Sequence, residues 1–235
     1  MFDYGEACPI SMATSVLCEK WTLQIVRELF FGSTRYSEIQ KYIPNLSPSL
    51  LRTRLRFLEE KGIVLRKPSG TGSRCEYHLT ASGKALAPVL NELGRWGMRH
   101  ASEGMTDKPN AVPSLVRDIT GGINVDELPT GDTVIQLHLT DVEPPARHYI
   151  YVRDNSAQQC SQNLGFDVDV YITATTKALS RIWYGEVDIR QAVDNGLVKI
   201  VAPPVYMKSL QRWFGISAFT TENPQPFRSD LLQNL

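Results

Sequence analysis

An α+β chain of two domains is the architecture this sequence predicts, the first domain helical with one β-hairpin, the second a sheet covered by helices. Three observations carry the prediction. Apolar residues recur at helical spacing from Ile10 to Lys61 and from Ala81 to His100, and a glycine-rich segment, Pro68 to Ser73, sits between two short apolar runs. Beyond residue 112 the period changes: Val134 to Leu139 and Asp167 to Thr173 alternate apolar and polar residues, as strands with one covered face do. Between the two regimes lies a polar stretch containing Gly104 and Pro109. A chain of 235 residues exceeds one typical domain, so the division expected is 1–103, a linker over 104–111, and 112–235.

The formal net charge of zero hides an asymmetry. Residues 1–100 hold 14 Lys and Arg against 9 Asp and Glu, a net of +5, whereas residues 101–235 hold 11 against 16, a net of −5. A polyanion would therefore meet the first half. No run of about 18 apolar residues exists and no basic stretch followed by an apolar one opens the sequence, which reads as a cytoplasmic protein without a membrane partner. Cys8, Cys18, Cys75 and Cys160 form no CxxC pair, so neither a disulfide framework nor a zinc site is expected.

The elements follow in order. Pro9 suits the first turn of a short helix, Ile10 to Leu17. Thr22 to Phe31 carries Ile25, Val26, Leu29 and Phe30 as one stripe and ends at Gly32. Arg35 to Tyr42 is a third helix with Tyr36 and Ile39 pointing inward. Pro44 stops it, and Ser47 followed by Pro48 combines a capping hydroxyl with proline at the first helical position, opening a helix from Pro48 to Lys61. A helix, a tight turn and a second well-capped helix make a helix-turn-helix. On that second helix Leu50, Leu51, Leu55 and Leu58 share one side, and Ser49, Arg52, Thr53, Arg56 and Glu60 the other. Two arginines one turn apart beside small hydroxyl residues suit a helix lying in a major groove, where Arg meets phosphate or guanine and Ser or Thr approaches the backbone. On an isolated helix these charges would read as a solvated face. Arg54 falls in the apolar sector and reads as a structural cation held by a carboxylate such as Glu28 or Glu38.

Ile63 to Lys67 and Arg74 to Thr80 are two strands joined by the glycine-rich loop, a wing with positive charge at Lys67 and Arg74 and little bulk at its tip. Thr80 caps one long helix, Ala81 to His100. Its stripe of Leu86, Val89, Leu90, Leu93 and Trp96 is more than a small domain needs, which marks a candidate dimer seam.

These residues carry a resemblance. Cys8-Pro9, Lys20-Trp21-Thr22, Ile25 to Leu29, Ser47-Pro48, Leu51 to Leu55, Leu58 to Gly62 and Tyr77 to Thr80 resemble the HxlR family, whose members are similar in shape to MarR regulators and act as dimeric DNA-binding repressors or activators. The resemblance implies that Ser47, Ser49, Arg52, Thr53 and Arg56 face double-stranded DNA, that Lys67, Ser69, Thr71 and Arg74 touch it through the wing, and that a homodimer reads an inverted repeat.

In the second half, Val112 to Ile119 is a helix, and Tyr149 to Val152 and Leu197 to Val201 join the two alternating segments in an antiparallel sheet. Helices at Thr176 to Trp183, Ile189 to Asn195 and Val205 to Phe214 supply its cover. The order Leu179 to Gly185, Ala192 to Gly196, then Lys199 to Val201 resembles the sterol-carrier-protein type 2 fold. That resemblance implies a sheath around an apolar small-molecule effector, with Leu179, Trp183, Trp213 and Phe214 as candidate pocket residues, although aromatics at such positions also serve as plain core. His138 and His148 stand on a strand and at a loop edge without metal-ligand spacing, and no catalytic motif stands out. The expectation is a sensing or dimer-supporting domain with no cofactor and no catalysis. Cys8, at a helix start where the dipole favours thiolate, is either a redox sensor or a small packing residue. Cys18, Cys75 and Cys160 read as inert. The remaining alternative is a ligand carrier whose winged domain binds proteins.

Overall fold

The computed structural model describes residues 4–69, 75–107, 112–143 and 146–220. Contacts divide them into two units, one ending at Trp96 and one running from Gly97, so the division falls inside a helix.

The first unit is built from α1 (Pro9–Leu17), α2 (Thr22–Phe30), α3 (Tyr36–Tyr42), α4 (Pro48–Glu60), β1 (Val64–Pro68), β2 (Cys75–Leu79), α5 (Ala81–Lys84) and α6 (Ala87–His100). The stripes predicted for α2 and α4 are the core: Ile25, Val26, Leu51, Leu55 and Leu58 are buried with Ile39 and Leu46. Phe30 and Leu50 are only half-buried. Tyr36 is also half-buried rather than inward, because its hydroxyl donates to the Pro48 carbonyl at the mouth of α4. Gly32 and Gly62 close α2 and α4 at φ +84° and +66°, a backbone region only glycine enters without cost.

One correction concerns the helix expected over 81–100, which is two helices, α5 and α6. Pro88 has no N–H to give the carbonyl four residues back, and that residue is Lys84, where α5 ends. Thr80 caps α5 as expected, accepting from Gly83 N–H at 3.1 Å.

The second unit holds α7 (Val112–Gly121), β3 (Thr133–Leu139), β4 (Ala146–Arg153), β5 (Ser156–Cys160), β6 (Val170–Ala174), α8 (Thr176–Trp183), α9 (Ile189–Asp194), β7 (Val198–Val201), α10 (Pro204–Lys208) and α11 (Leu210–Trp213). Strand order across its sheet is β5-β4-β3-β6-β7. The sheet is mixed, which corrects the antiparallel expectation: β3 runs parallel to β6, and the other neighbours are antiparallel. The chain steps outward from β3 through β4 to β5, then returns by the segment 161–169 to the far side of β3, where β6 runs in β3's own direction. Tyr151 anchors that return: its hydroxyl donates to Asn163 at 3.2 Å and accepts from Leu164 N–H at 2.7 Å. Asp154 and Asn155, at φ +47° and +57°, form the two-residue turn of the β4–β5 hairpin.

Ile135, Leu137, Leu139, Ile150, Val170 and Ile172 line one face of the sheet, beneath apolar residues of α7, α8, α9 and α11. A further correction is that the helix expected over 205–214 breaks at Ser209. The carbonyls of Tyr206, Met207 and Lys208 would serve a continuous helix. They accept instead from the Trp213 indole at 2.9 Å and from the Arg190 guanidinium at 3.2 and 3.1 Å.

Candidate nucleic-acid interface

Ser47 is the N-cap of α4, its hydroxyl accepting from Leu50 N–H at 3.3 Å and lying 3.3 Å from the Ser49 hydroxyl. Ser49, Arg52, Thr53 and Arg56 are all exposed on the side away from the core. The Thr53 hydroxyl donates to the Ser49 carbonyl at 3.1 Å, and the Arg52 guanidinium lies 6.0 Å from the centre of the Tyr36 ring. Arg56 lies 3.8 Å from Glu60 one turn on, with both side chains more than 60% exposed, so water screens the pair and the cation is available to a stronger anion.

A shallow cleft of ≈ 310 Å³ joins this helix to the wing. Arg52, Thr53, Arg56 and Glu59 form one wall, and Arg66 of β1 and Tyr77 of β2 the other. Arg66 and Tyr77 are register partners and share one face of the hairpin, together with Pro68 and Cys75. A hydrogen bond to Cys75 holds the Arg66 guanidinium above its ordinary range. Sequence reasoning missed Arg66 and Tyr77. Alternation put them on one side of the hairpin, but only the register shows that this side faces α4.

Lys67, by the same register, pairs with Glu76 and projects from the opposite face of the hairpin, where it lines a separate cleft with Leu29 and His78. The Ser69 hydroxyl is committed to Glu76 at 3.0 Å, and this bond is the main reason the Glu76 carboxyl sits below its usual range. Thr71 and Arg74 lie outside the described residues.

Arg54 is a structural cation, but neither expected carboxylate holds it. Its Nη2 meets Glu19 at 2.7 Å and its Nε donates to the Lys20 carbonyl at 3.0 Å. Glu28 is occupied by Arg27 at 2.7 Å, and Glu38 accepts from the backbone N–H of Thr34 and Arg35 at 2.9 Å each. Arg54 thereby pins α4 to the α1–α2 turn, just before Trp21, whose backbone is left-handed at φ +75°. Hydrogen bonds to charged groups contribute about 1.5–3 kcal/mol each. Arg54→Ala is expected to lower the stability of the first unit by about 2–3 kcal/mol, read by urea denaturation. Unchanged stability would mean that this clamp carries no load.

Cys8 is the N-cap of α1 and is half-buried. The Ser11 N–H, then that of Ile10, hold its thiol below the ordinary cysteine value. Cys18 is exposed at the end of α1. In the second unit, Leu179, Trp213 and Phe214 are buried in the core and Trp183 packs against it. Gly122 makes room for Trp183, since a Cβ there would lie 2.3 Å from the ring. His148 belongs to β4 rather than to a loop edge. Among the described residues, no cluster of three or more His, Cys, Asp or Glu could hold a metal, and no helix is long and apolar enough to cross a membrane.

A helix-turn-helix whose second helix is capped, clamped and armed with outward arginines beside a β-hairpin defines a winged-helix protein. The HxlR-like helix-turn-helix family matches residues 16–105. The HTH-type transcriptional regulator YvaP of Bacillus subtilis is 45% identical over 96 residues, covering 40% of this chain and 89% of that protein. An HTH-type transcriptional regulator of Synechocystis is 37% identical over 97 residues, covering 41% and 72%. Among solved structures, the reduced form of the transcriptional regulator YodB from B. subtilis is 33% identical, covers 42% of this chain and 99% of that one, and has a TM-score of 0.38. The chain belongs to the HxlR-like helix-turn-helix family.

Proposed function

We propose that this protein is a homodimeric, non-catalytic DNA-binding transcriptional regulator. Residues 1–103 read an inverted-repeat operator, and residues 112–235 form a sterol-carrier-like domain that receives an apolar effector or supports the dimer. The observation that carries the reading is the uncovered arginine face of α4, continued by Arg66, on a helix that Arg54 holds rigidly. A rigid helix presents its cations at fixed spacing, which a groove rewards and a merely solvated face does not need. Val89, Leu93 and Trp96 recur on one face of α6 and stand exposed, Trp96 by 57%, which supports a subunit seam there. The strand order of the second unit, with one parallel central pair and helices on one face, supports the sterol-carrier-like reading. Because Trp213 and Phe214 are packed in that core, an effector would have to open it, and only a ligand that favours one conformation could shift DNA binding.

The test is to sequence genomic fragments retained by the purified protein and to weigh it by light scattering. The expected outcome is a dimer retaining inverted repeats with half-site centres about 34–36 Å apart. A monomer at micromolar concentration, or fragments without a shared repeat, would sink the proposal. A second reading, redox control through Cys8, rests on its lowered thiol pKa at the start of α1. It fails if Cys8→Ser leaves an oxidant's effect on DNA binding unchanged.

A further inference from the structure

The second unit is acidic overall, yet none of its five strands contains Asp or Glu. Helices cover one face of the sheet. The other face is set by register. One row runs Cys160, Tyr149, Gln136, Tyr171, Val201 across the five strands, and the next runs Arg147, His138, Thr173, Lys199. Arg147, Tyr171, Lys199 and Val201 are exposed, and Tyr149, Gln136, His138 and Thr173 half-buried. The 161–169 return covers the neighbouring strip, where Phe166 packs edge-on against Tyr151 at 5.8 Å and the Arg153 guanidinium lies 3.9 Å from the Phe166 ring. Among the described residues Arg147 and Lys199 form no ion pair.

An aromatic row therefore lies beside a cationic row on an open sheet. Strand spacing puts Tyr149 and Tyr171, two strands apart, about 10 Å from each other, and the cationic row about 7 Å away along the strands. Flat rings at that spacing accept successive bases, and cations alongside accept the phosphates. We infer that this sheet face is a binding site for single-stranded nucleic acid, separate from the winged interface.

The test uses the full chain carrying Arg52→Ala and Arg56→Ala, so that the winged domain is muted, with fluorescein-labelled 20-nucleotide oligo-uridine RNA and oligo-thymidine DNA. Anisotropy is expected to report binding to at least one of them, weakening as salt rises. Adding Tyr149→Ala and Tyr171→Ala should reduce affinity at least tenfold. Adding Arg147→Ala and Lys199→Ala instead should lower the slope of log affinity against log salt by about 1.4, for two lost phosphate contacts. Arg147, Tyr171 and Lys199 are exposed and Tyr149 is half-buried, and an unchanged circular-dichroism melt is the control for folding. The inference is overturned if neither oligonucleotide binds, or if the sheet variants bind as well as their parent. It is equally overturned if labelled poly-glutamate binds as tightly, which would make the partner an acidic polypeptide. Dissociation of a dimer by these substitutions would overturn it in favour of a subunit contact.

Discussion

Replacing Arg52 and Arg56 together with alanine is expected to abolish specific operator binding and leave the fold intact. Both side chains are exposed and neither bonds to the core, so the cost falls on the complex alone. Each lost base or phosphate contact costs about 1–3 kcal/mol, so the pair should weaken binding by roughly 30-fold to 10⁴-fold. Fluorescence anisotropy on the operator recovered from genomic fragments reads the effect, and the melting temperature serves as control. A double variant with full operator affinity would show that α4 does not present its arginine face to DNA. Arg66 is the natural third site. It approaches the same cleft from the wing, so Arg66→Ala should weaken binding to specific and unrelated duplexes alike if it contacts phosphate.

Trp213→Ala is expected to be the most damaging single change in the second unit. The side chain is fully buried, meets Phe214 edge-on at 5.8 Å, and donates its indole N–H to the Tyr206 carbonyl at 2.9 Å. Emptying such a site costs about 3–5 kcal/mol, and the Tyr206 carbonyl is left without its donor. For a unit of this size the loss should lower its melting temperature by roughly 10–20 °C, measured by calorimetry. Trp213→Phe, which keeps most of the volume and loses the hydrogen bond, should fall between. If the Trp213→Ala transition moves by less than about 2 °C, the site is a loosely filled pocket and not core. That outcome would favour the effector reading, because a space tolerant of truncation is one a ligand can enter.

The difference between what was legible and what was not is clearest in Arg54. Helical periodicity showed that a cation there must be partnered, since residues 50, 51, 54, 55 and 58 share a side. Its partner is Glu19, 35 positions earlier in the chain, where no local pattern points. The two helix breaks contrast in the same way. Pro88 is visible in the sequence and its missing N–H explains the end of α5 at Lys84. The break at Ser209 depends on Arg190 and Trp213 taking carbonyls from a distance. β5 escaped notice because Ser156 to Cys160 is polar and carries no β-branched residue. Asp154-Asn155, both tolerant of a left-handed backbone, was the signal available for its hairpin.

By itself the sequence determined the elements that depend on near neighbours. The Ser47-Pro48 start of α4, the leucine stripe that buries one side of it, the outward Arg52 and Arg56, and the inward Ile135, Leu137 and Leu139 of β3 all follow from periods of 3.6 and 2, read within a dozen residues. Only the tertiary structure decided which strand lies beside which, that β3 and β6 run parallel, that Arg66 and Tyr77 rather than Lys67 face α4, and that Trp213 fills a core. Those outcomes rest on contacts between segments far apart in the chain, whose register is settled by how two finished surfaces pack. No short window of residues encodes that packing.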